Sequence, residues 1–456
     1  MIIDTRLTLR DIEEPMTRFW KLSGDKINAI ENSALEGTPV YTVNGKYTTR
    51  GWTEWTQGFQ YGSAILQFDA TGDTEYLTLG RKRTVDKMAA HLTHKGVHDH
   101  GFNNLSTYGN LRRIMAEGKI SYNEWENSFY ELALKVSGAV QAMRWTPIKG
   151  GGFIYSFNGP QSLFVDTIRS CRILMVSHAL GHVLQAENDE RINLMQRAIQ
   201  HLEATAEYAV FYGEGRDHYD VWGRTAHESI FNVNDGNFRC VNAQQGYSGL
   251  TTWTRGLAWA MCGFAEELEY LDSLSPNILG SLTNTDVLMK KLLRAGTATC
   301  DFYIAHSASD GIPYWDTGAP GLNHLGDYLN RPAEPHNDHE PVDSSAASIG
   351  AQGLLRLGNF LHQKNDSRAA HYTQAGLTIA RTLLSDSYLS LDPAHEGLIL
   401  HSVYHRPNGW DYIPPGQKIP CNESSMWGDY HARELMLYLT RLMRKEPYYT
   451  FFAGLN

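Results

Sequence analysis

Thr252-Trp-Thr-Arg-Gly-Leu-Ala-Trp-Ala-Met-Cys-Gly-Phe-Ala-Glu-Glu-Leu-Glu-Tyr-Leu271 is the stretch on which the fold class turns. Leu257, Met261, Phe264, Leu268 and Leu271 step by four and three, the apolar stripe of a single helix. Arg255 and Trp259 lie one turn apart on the face away from that stripe. An outer helix would spend a tryptophan there on solvent. A helix enclosed on nearly all sides can aim its first turns into a central cavity. Extended back to Gln245, the stretch sets Trp253 and Trp259 around Arg255 behind a Gly-bearing loop. Aromatic rings stack on the apolar faces of sugars, and a guanidinium forks onto a carboxylate through two parallel hydrogen bonds. That combination suits an acidic sugar. The competing reading is a buried helix start, with tryptophan as core and arginine bonded to a loop carbonyl.

Outward from this segment, helical periodicity dominates. Phe164, Ile168, Cys171, Met175 and Ala179 form a second stripe, and residues 347–361 carry a third. Turns recur at 70–76, 116–122, 180–191, 270–276 and 357–368, each closing one helix with Gly or polar residues and opening the next. Strand-like alternation is confined to short runs such as Val40 to Val43. Twelve helices would use about 38 residues each with their loops, so six hairpins fit the length. The expected architecture is all-α, an (α/α)6 toroid spanning 1–456 as one domain after a short N-terminal lead-in. An open superhelix competes, but unevenly spaced turns disfavour a regular repeat. The irregular stretches 145–161, 212–250, 311–343 and 392–425 are where function is expected to sit.

Composition narrows the partners. Forty basic against fifty acidic residues give a net charge of −10, and no Lys/Arg-rich run is present. Nucleic acid and an anionic membrane surface are therefore not expected partners. No segment offers the ~18 uninterrupted apolar residues of a membrane span, and the charged start MIIDTRLTLRDIEEP does not read as a signal peptide. Cys171, Cys240, Cys262, Cys300 and Cys421 are scattered singly without a CxxC pair, which points to free thiols in a reducing compartment. A cytoplasmic location is expected, or a periplasmic one for a chain trimmed of its signal.

Two aspartates carry the candidate chemistry. Asp99 precedes a helix starting near Asn103, where a capping role competes with a functional one. Asp166 sits beside Phe164, Val165 and Ile168, where a carboxylate is costly unless paired or functional. A helix N-terminus would lower its pKa, whereas a general acid needs burial and a like charge to raise it. His98-Asp99-His100 and His336-Asn-Asp-His339 fit no recognised metal spacing, so no metal or other cofactor is expected. Asp343 reads as a helix N-cap. Tyr314-Trp-Asp316 and Ser425-Met-Trp-Gly-Asp-Tyr430 read as structural aromatic–acid clusters.

Nine segments in order resemble the unsaturated glucuronyl hydrolases, glycoside hydrolase family 88, and more distantly the unsaturated rhamnogalacturonyl hydrolases. They are Glu54-Trp-Thr-Gln-Gly-Phe59, His98-Asp-His-Gly-Phe102, Val165-Asp-Thr, Gln245-Gly, Thr252 to Trp259, Gly311 to Asp316, Val342-Asp-Ser-Ser-Ala-Ala-Ser, Val403-Tyr-His405 and Trp427-Gly-Asp-Tyr430. The resemblance implies a six-hairpin barrel, no metal, and hydration of the C4=C5 bond that polysaccharide lyases leave on a terminal uronate. It places the acid/base on Asp166, the second aspartate on Asp99 and a water-orienting histidine on His227. His98, Gln245, Trp253, Arg255, Trp259, Trp55, Phe157 and Tyr404 become the sugar contacts. The implied partner is a uronate-containing oligosaccharide, met by a monomer or homodimer.

The chain departs from the family pattern at Gly249-Leu250, at Leu257, at His100 and in a longer loop from Ile413 to Ser425. These departures are expected to reshape the cleft. They leave room for a saturated β-uronidase of the same fold, with Asp99 and Asp166 as its carboxylate pair. A sugar epimerase and a non-catalytic sugar-binding protein are the remaining readings.

Overall fold

Helix follows helix around a closed ring in the computed structural model, which describes residues 1–33, 35–50 and 55–455. In chain order the ring contains α1 (Glu13–Glu31), α2 (Gln57–Thr71), α3 (Thr74–Lys87) and α4 (His100–Asn104, Leu105–Gly109 and Asn110–Ala116 end to end). Next come α5 (Glu124–Met143), α6 (Thr167–Ser170 and Arg172–Ala179), α7 (Leu194–Ala204 and Thr205–Ala209) and α8 (Thr254–Ser273). The last are α9 (Thr285–His306), α10 (Ser344–Gln363), α11 (Ala369–Leu383) and α12 (Met426–Met443). The even-numbered helices form the inner ring. Each packs on the next, and α12 returns to α2, so the hairpins close into the expected toroid and not an open superhelix.

Burial follows the layers. Inner α8 is buried without a break from Thr254 to Leu271, whereas outer α3 buries only Leu77, Gly80 and Thr84. The all-round burial of α8 admits charge only in pairs. Arg169 of α6 donates to Glu266 of α8 (2.9 Å) and Glu434 of α12 (2.6 Å), and Arg356 of α10 donates to Glu269 of α8 (2.7 Å). Removing one partner of such a pair would strand a buried charge at about 3–5 kcal/mol.

The stretches that read as irregular carry small sheets. Trp145–Ile148 pairs with Gly151–Ile154, and Glu228–Phe231 lies between Ser162–Phe164 and Phe238–Asn242. Strands of three to five residues are too short to display a period of two against loop composition. The turn expected over 180–191 likewise holds a hairpin, Leu184–Gln185 with Arg191–Ile192. Pro39–Val43 pairs with Lys46–Thr49, where alternation was legible. All five cysteines are free, and no described helix is long and apolar enough to cross a membrane.

Candidate active site

Asp99 and Asp166 occupy the N-cap positions of α4 and α6, yet neither side chain caps its helix. The two helix starts touch because Gly101 has no side chain. A Cβ there would lie 2.1 Å from the Ser170 carbonyl oxygen. Ser170 Oγ accepts the Gly101 N–H (3.0 Å) and donates to the His98 carbonyl (2.6 Å), locking the approach. Both carboxyls consequently turn toward His98, whose Nε2 lies 3.5 Å from Asp166 Oδ2 and 3.8 Å from Asp99 Oδ1. Phe157 stacks on the imidazole at 6.0 Å and Phe164 meets it edge-on at 5.7 Å. His100 leaves the group, because its ring bonds Ser137 (3.0 Å) and the His94 carbonyl (3.1 Å).

Electrostatics divide the three groups. Burial pushes the Asp166 carboxyl up, but the hydrogen bond and charge of His98, aided by His227, hold it below the usual carboxylate range. Burial raises Asp99, and the Asp166 charge adds to that against the pull of His98. Burial alone would depress His98, but Asp99 and Asp166 outweigh it and raise the imidazole. The directions favour charge on the Asp166 carboxyl and a proton on His98, with Asp99 the more readily protonated acid. The contest over Asp166 that the sequence left open is decided by His98. One donor atom each from His98, Asp99 and Asp166 lies within 4.8 Å of the others, a nitrogen–oxygen set that could also hold a divalent cation.

His227 lies behind this cluster, between Phe164 (4.4 Å) and Trp253 (4.6 Å). Its Nδ1 accepts the backbone N–H groups of Gln244 (3.0 Å) and Gln245 (3.3 Å). Two donors aimed at one nitrogen require a lone pair there, so the proton sits on Nε2. Burial holds the ring neutral, with a pKa of about 4. That Nε2 is buried and has no hydrogen-bond partner among the described residues, a donor awaiting an acceptor.

Arg255 does not present its fork to the cavity. It donates to the carbonyls of Val403 and Tyr404 and to Gln245 Oε1, the last two at 2.8 Å. Its guanidinium lies 4.7 Å from the ring centres of both Trp253 and Trp427. The reading of an arginine bonded to loop carbonyls is therefore correct alongside the cavity reading. Because arginine only donates, Gln245 must offer it the amide oxygen, leaving the amide N–H2 as the group available to a ligand. Asp343 caps α10 through Ser345 and Ala346 as expected, and its Oδ2 lies 3.5 Å from Arg255.

These groups surround a cavity lined by His98, Asp99, Asp166, Gln245, Trp253, Arg255 and Trp259, with Trp55, Phe157 and Tyr404. Every expected site residue except His227 reaches the lining, while Glu54 falls outside the described residues. Trp427 supports the wall, stacked on Trp55 at 5.0 Å, while Asp316 and Asp429 bond backbone amides as structural groups.

Sequence reasoning missed Gln244, His405 and Trp410, which complete the lining. It also missed Arg50, an exposed side chain whose guanidinium lies 5.0 Å from the Trp410 ring and 5.8 Å from Tyr404. Proximity to Tyr404 was a usable signal for His405; nothing local marked Trp410 or Arg50. Three of the departures lie outside the cavity lining. Leu257 is core, Leu250 is exposed with its carbonyl bonded to Arg224, and neither they nor His100 line the cavity.

No family model matches the chain. An unsaturated glucuronyl hydrolase of Bacillus sp. (strain GL1) is 27% identical over 401 residues, covering 87% of this chain and 89% of that protein. An unsaturated chondroitin disaccharide hydrolase of Streptococcus agalactiae serotype III (strain NEM316) is 22% identical over 411 residues, covering 88% and 84%. The crystal structure of an unsaturated glucuronyl hydrolase specific for heparin superposes with a TM-score of 0.71 at 18% identity, over 95% of this chain and 98% of that one. The chain is similar to unsaturated glucuronyl hydrolases along most of its length, and it shares their toroid.

Proposed function

We propose that this chain is a glycoside hydrolase that removes terminal 4,5-unsaturated uronic acids from lyase-derived oligosaccharides by adding water across C4=C5. The similarity to unsaturated glucuronyl hydrolases supports the class. The observation that carries the chemistry is the Asp99–His98–Asp166 cluster in the wall of an aromatic cavity. Together with the similarity, the continuous inner ring supports one catalytic unit over 1–456. Five free thiols support a cytoplasmic location.

In this reading Asp166 delivers a proton to C4 and takes one from the water that attacks C5. Its carboxyl is held toward the charged form, and His98, 3.5 Å away with a raised pKa, is the nearest group able to supply the proton. An entering uronate brings a further negative charge and expels water, and both effects raise carboxyl pKa values. Substrate binding thereby draws a proton onto the pair. The Nε2–H of His227 holds the water or a substrate oxygen, and the Gln245 N–H2 binds the uronate beside it. Addition of H to C4 and OH to C5 gives a hemiketal. Opening of its C5–O5 bond leaves a hemiacetal at C1, which expels the remaining oligosaccharide as an alcohol.

A saturated uronidase working by inversion is disfavoured, since such a pair stands about 6.5–9.5 Å apart, whereas oxygens of Asp99 and Asp166 lie within 4.8 Å. The test is the ultraviolet absorbance of the conjugated uronate. Purified protein should abolish it on unsaturated disaccharides from chondroitin, heparin, ulvan or gellan. Persistent absorbance across all four substrates, or reducing sugar released from intact uronosides alone, would overturn the proposal.

A further inference from the structure

Two adjacent side chains of the cavity wall are held with opposite polarity. Arg255 only donates, so Gln245 gives it the amide oxygen and keeps its N–H2 for a ligand. Gln244 is oriented from the other side. The Glu228 carboxylate collects Asn242 Nδ2 (2.7 Å) on Oε2, and Asn158 Nδ2 (3.1 Å) with the Ser162 hydroxyl on Oε1. A carboxylate accepts, so Asn158 must turn its N–H2 toward Glu228 and its amide oxygen away. Gln244 Nε2 donates to that oxygen (3.4 Å). Gln244 Oε1 is thereby left as a buried acceptor with no hydrogen-bond partner among the described residues, on a side chain that lines the cavity.

The backbone keeps this polarity in place. Glu228 opens its strand opposite both Phe164 and Asn242. The Asn158 N–H donates to Ser156 Oγ (3.1 Å), and the Asn158 carbonyl accepts Gln161 Nε2 (2.8 Å). The Gln244 N–H donates to His227 Nδ1 (3.0 Å), so its main chain is held independently of its side chain. A buried acceptor without a partner is costly until a donor meets it. A terminal 4,5-unsaturated uronate can supply that donor at two atoms only. Its C1 carries the glycosidic oxygen, C4 and C5 the double bond and C6 the carboxylate, which confines its hydroxyls to C2 and C3. We propose, resting on the unsaturated-uronate reading of the cavity, that Gln244 Oε1 accepts one of these two hydroxyls and selects uronates in which it is free. Asn158 and Glu228 are positioning residues for that contact. An O-methyl or O-sulfo group at the same carbon has no proton to give, and a sulfate sets negative charge against the amide oxygen.

Steady-state release of phenol from three synthetic phenyl 4,5-unsaturated glucuronides tests the contact: the parent, its 2-deoxy and its 3-deoxy analogue. Gln244→Met keeps the side-chain length and the main-chain bond to His227 while deleting the acceptor. It should raise KM for the parent about 5–20-fold with kcat within about twofold, the scale of one neutral hydrogen bond whose buried partner is left unmet. Against one deoxy analogue, and only one, that penalty should vanish, a comparison in which any general loss of folding or reactivity cancels. Asn158→Ala frees the Gln244 amide to turn. It should lower the preference for the parent over that same analogue by about threefold or more. Equal Gln244→Met penalties on all three substrates, or a preference unchanged by Asn158→Ala, would overturn the proposal. Wild-type turnover of the parent would still leave the hydrolase reading standing in either case. A wild type inactive on the parent overturns both. If Gln244→Met misfolds, the Asn158→Ala comparison decides alone.

Discussion

Replacing Arg255 by lysine keeps a positive charge and removes the fork, which separates an arginine that holds the cavity wall from one that grips substrate. The wild-type guanidinium serves three acceptors, the carbonyls of Val403 and Tyr404 and Gln245 Oε1, and is flanked by Trp253 and Trp427. A single ammonium on a shorter fork-free stem serves one of them well. Hydrogen bonds to a charged group contribute about 1.5–3 kcal/mol each, and the lost stacking contributes about 0.5–2 kcal/mol. Partial relaxation leaves a local loss of about 3–6 kcal/mol. The loss falls on the wall from 403 to 411, because few other groups fasten it: Asp343 accepts the Val403 N–H (3.4 Å), Arg50 donates to the Trp410 carbonyl (3.3 Å), and Asp411 ties the segment to itself through the His405 N–H (3.1 Å). Amide hydrogen exchange of peptides over that segment should therefore accelerate by about 10²–10⁴. KM for an unsaturated disaccharide should rise with it, because Tyr404 and Trp410 belong to the same wall. If KM rises while exchange over 403–411 is unchanged, Arg255 acts on substrate directly and the wall argument fails.

Asp166→Asn should lower kcat by about 10²–10⁴, the usual worth of a general acid/base, with KM within a few-fold. Continuous absorbance decay measures it, and retention of a tenth of the wild-type rate would remove Asp166 from the chemistry. The pH dependence of stability follows from the His98 pair. The folded His98 pKa is raised above 6.5, so its contribution is full below that value and is lost as pH rises through the folded one. Asp166 is depressed below 3.8, so its share is present above that value and is lost only in stronger acid. The melting-temperature advantage of wild type over Asp166→Asn should accordingly be largest near about pH 5–6 and shrink above it; an advantage that grows toward pH 9 contradicts the pairing. Arg50→Ala should raise KM up to about fivefold for substrates bearing a sulfate or carboxylate on the second sugar, the scale of an exposed ion pair. Kinetics on a neutral second sugar should be unchanged, and an equal effect on both would rule out an anion contact.

The ring was legible because helical periodicity is a local signal that a long buried helix repeats many times. Leu257 to Leu271 contains five stripe members within one α8, and all five are buried. Strands of three residues, such as Ser162–Phe164, repeat their period barely once. The candidate carboxylate Asp166 was legible for a different reason, since a carboxylate among Phe164, Val165 and Ile168 is costly wherever the fold puts it. Partner choice was not legible. Arg255 displayed its donors in the sequence, but its carbonyl acceptors lie 148 and 149 residues away. The tautomer of His227 is set by two backbone N–H groups, which carry no side-chain signature.

The same limit relocates the question of specificity. Gly249-Leu250 looked like the departure most able to change the substrate, because it stands beside Trp253 in the chain. In space Gly249 packs on the backbone of Asn242, and Leu250 points to solvent. The cavity departs from the sequence reading on its other side, where Trp410 comes from the loop 392–425 and Arg50 reaches it across 360 residues. The buried end holds the groups that would act on any terminal unsaturated uronate. A difference in the sugar that follows must be read where the oligosaccharide leaves the cavity. Trp410 and Arg50 stand at its exposed edge, one offering a ring face and the other a charge that no described carboxylate neutralises.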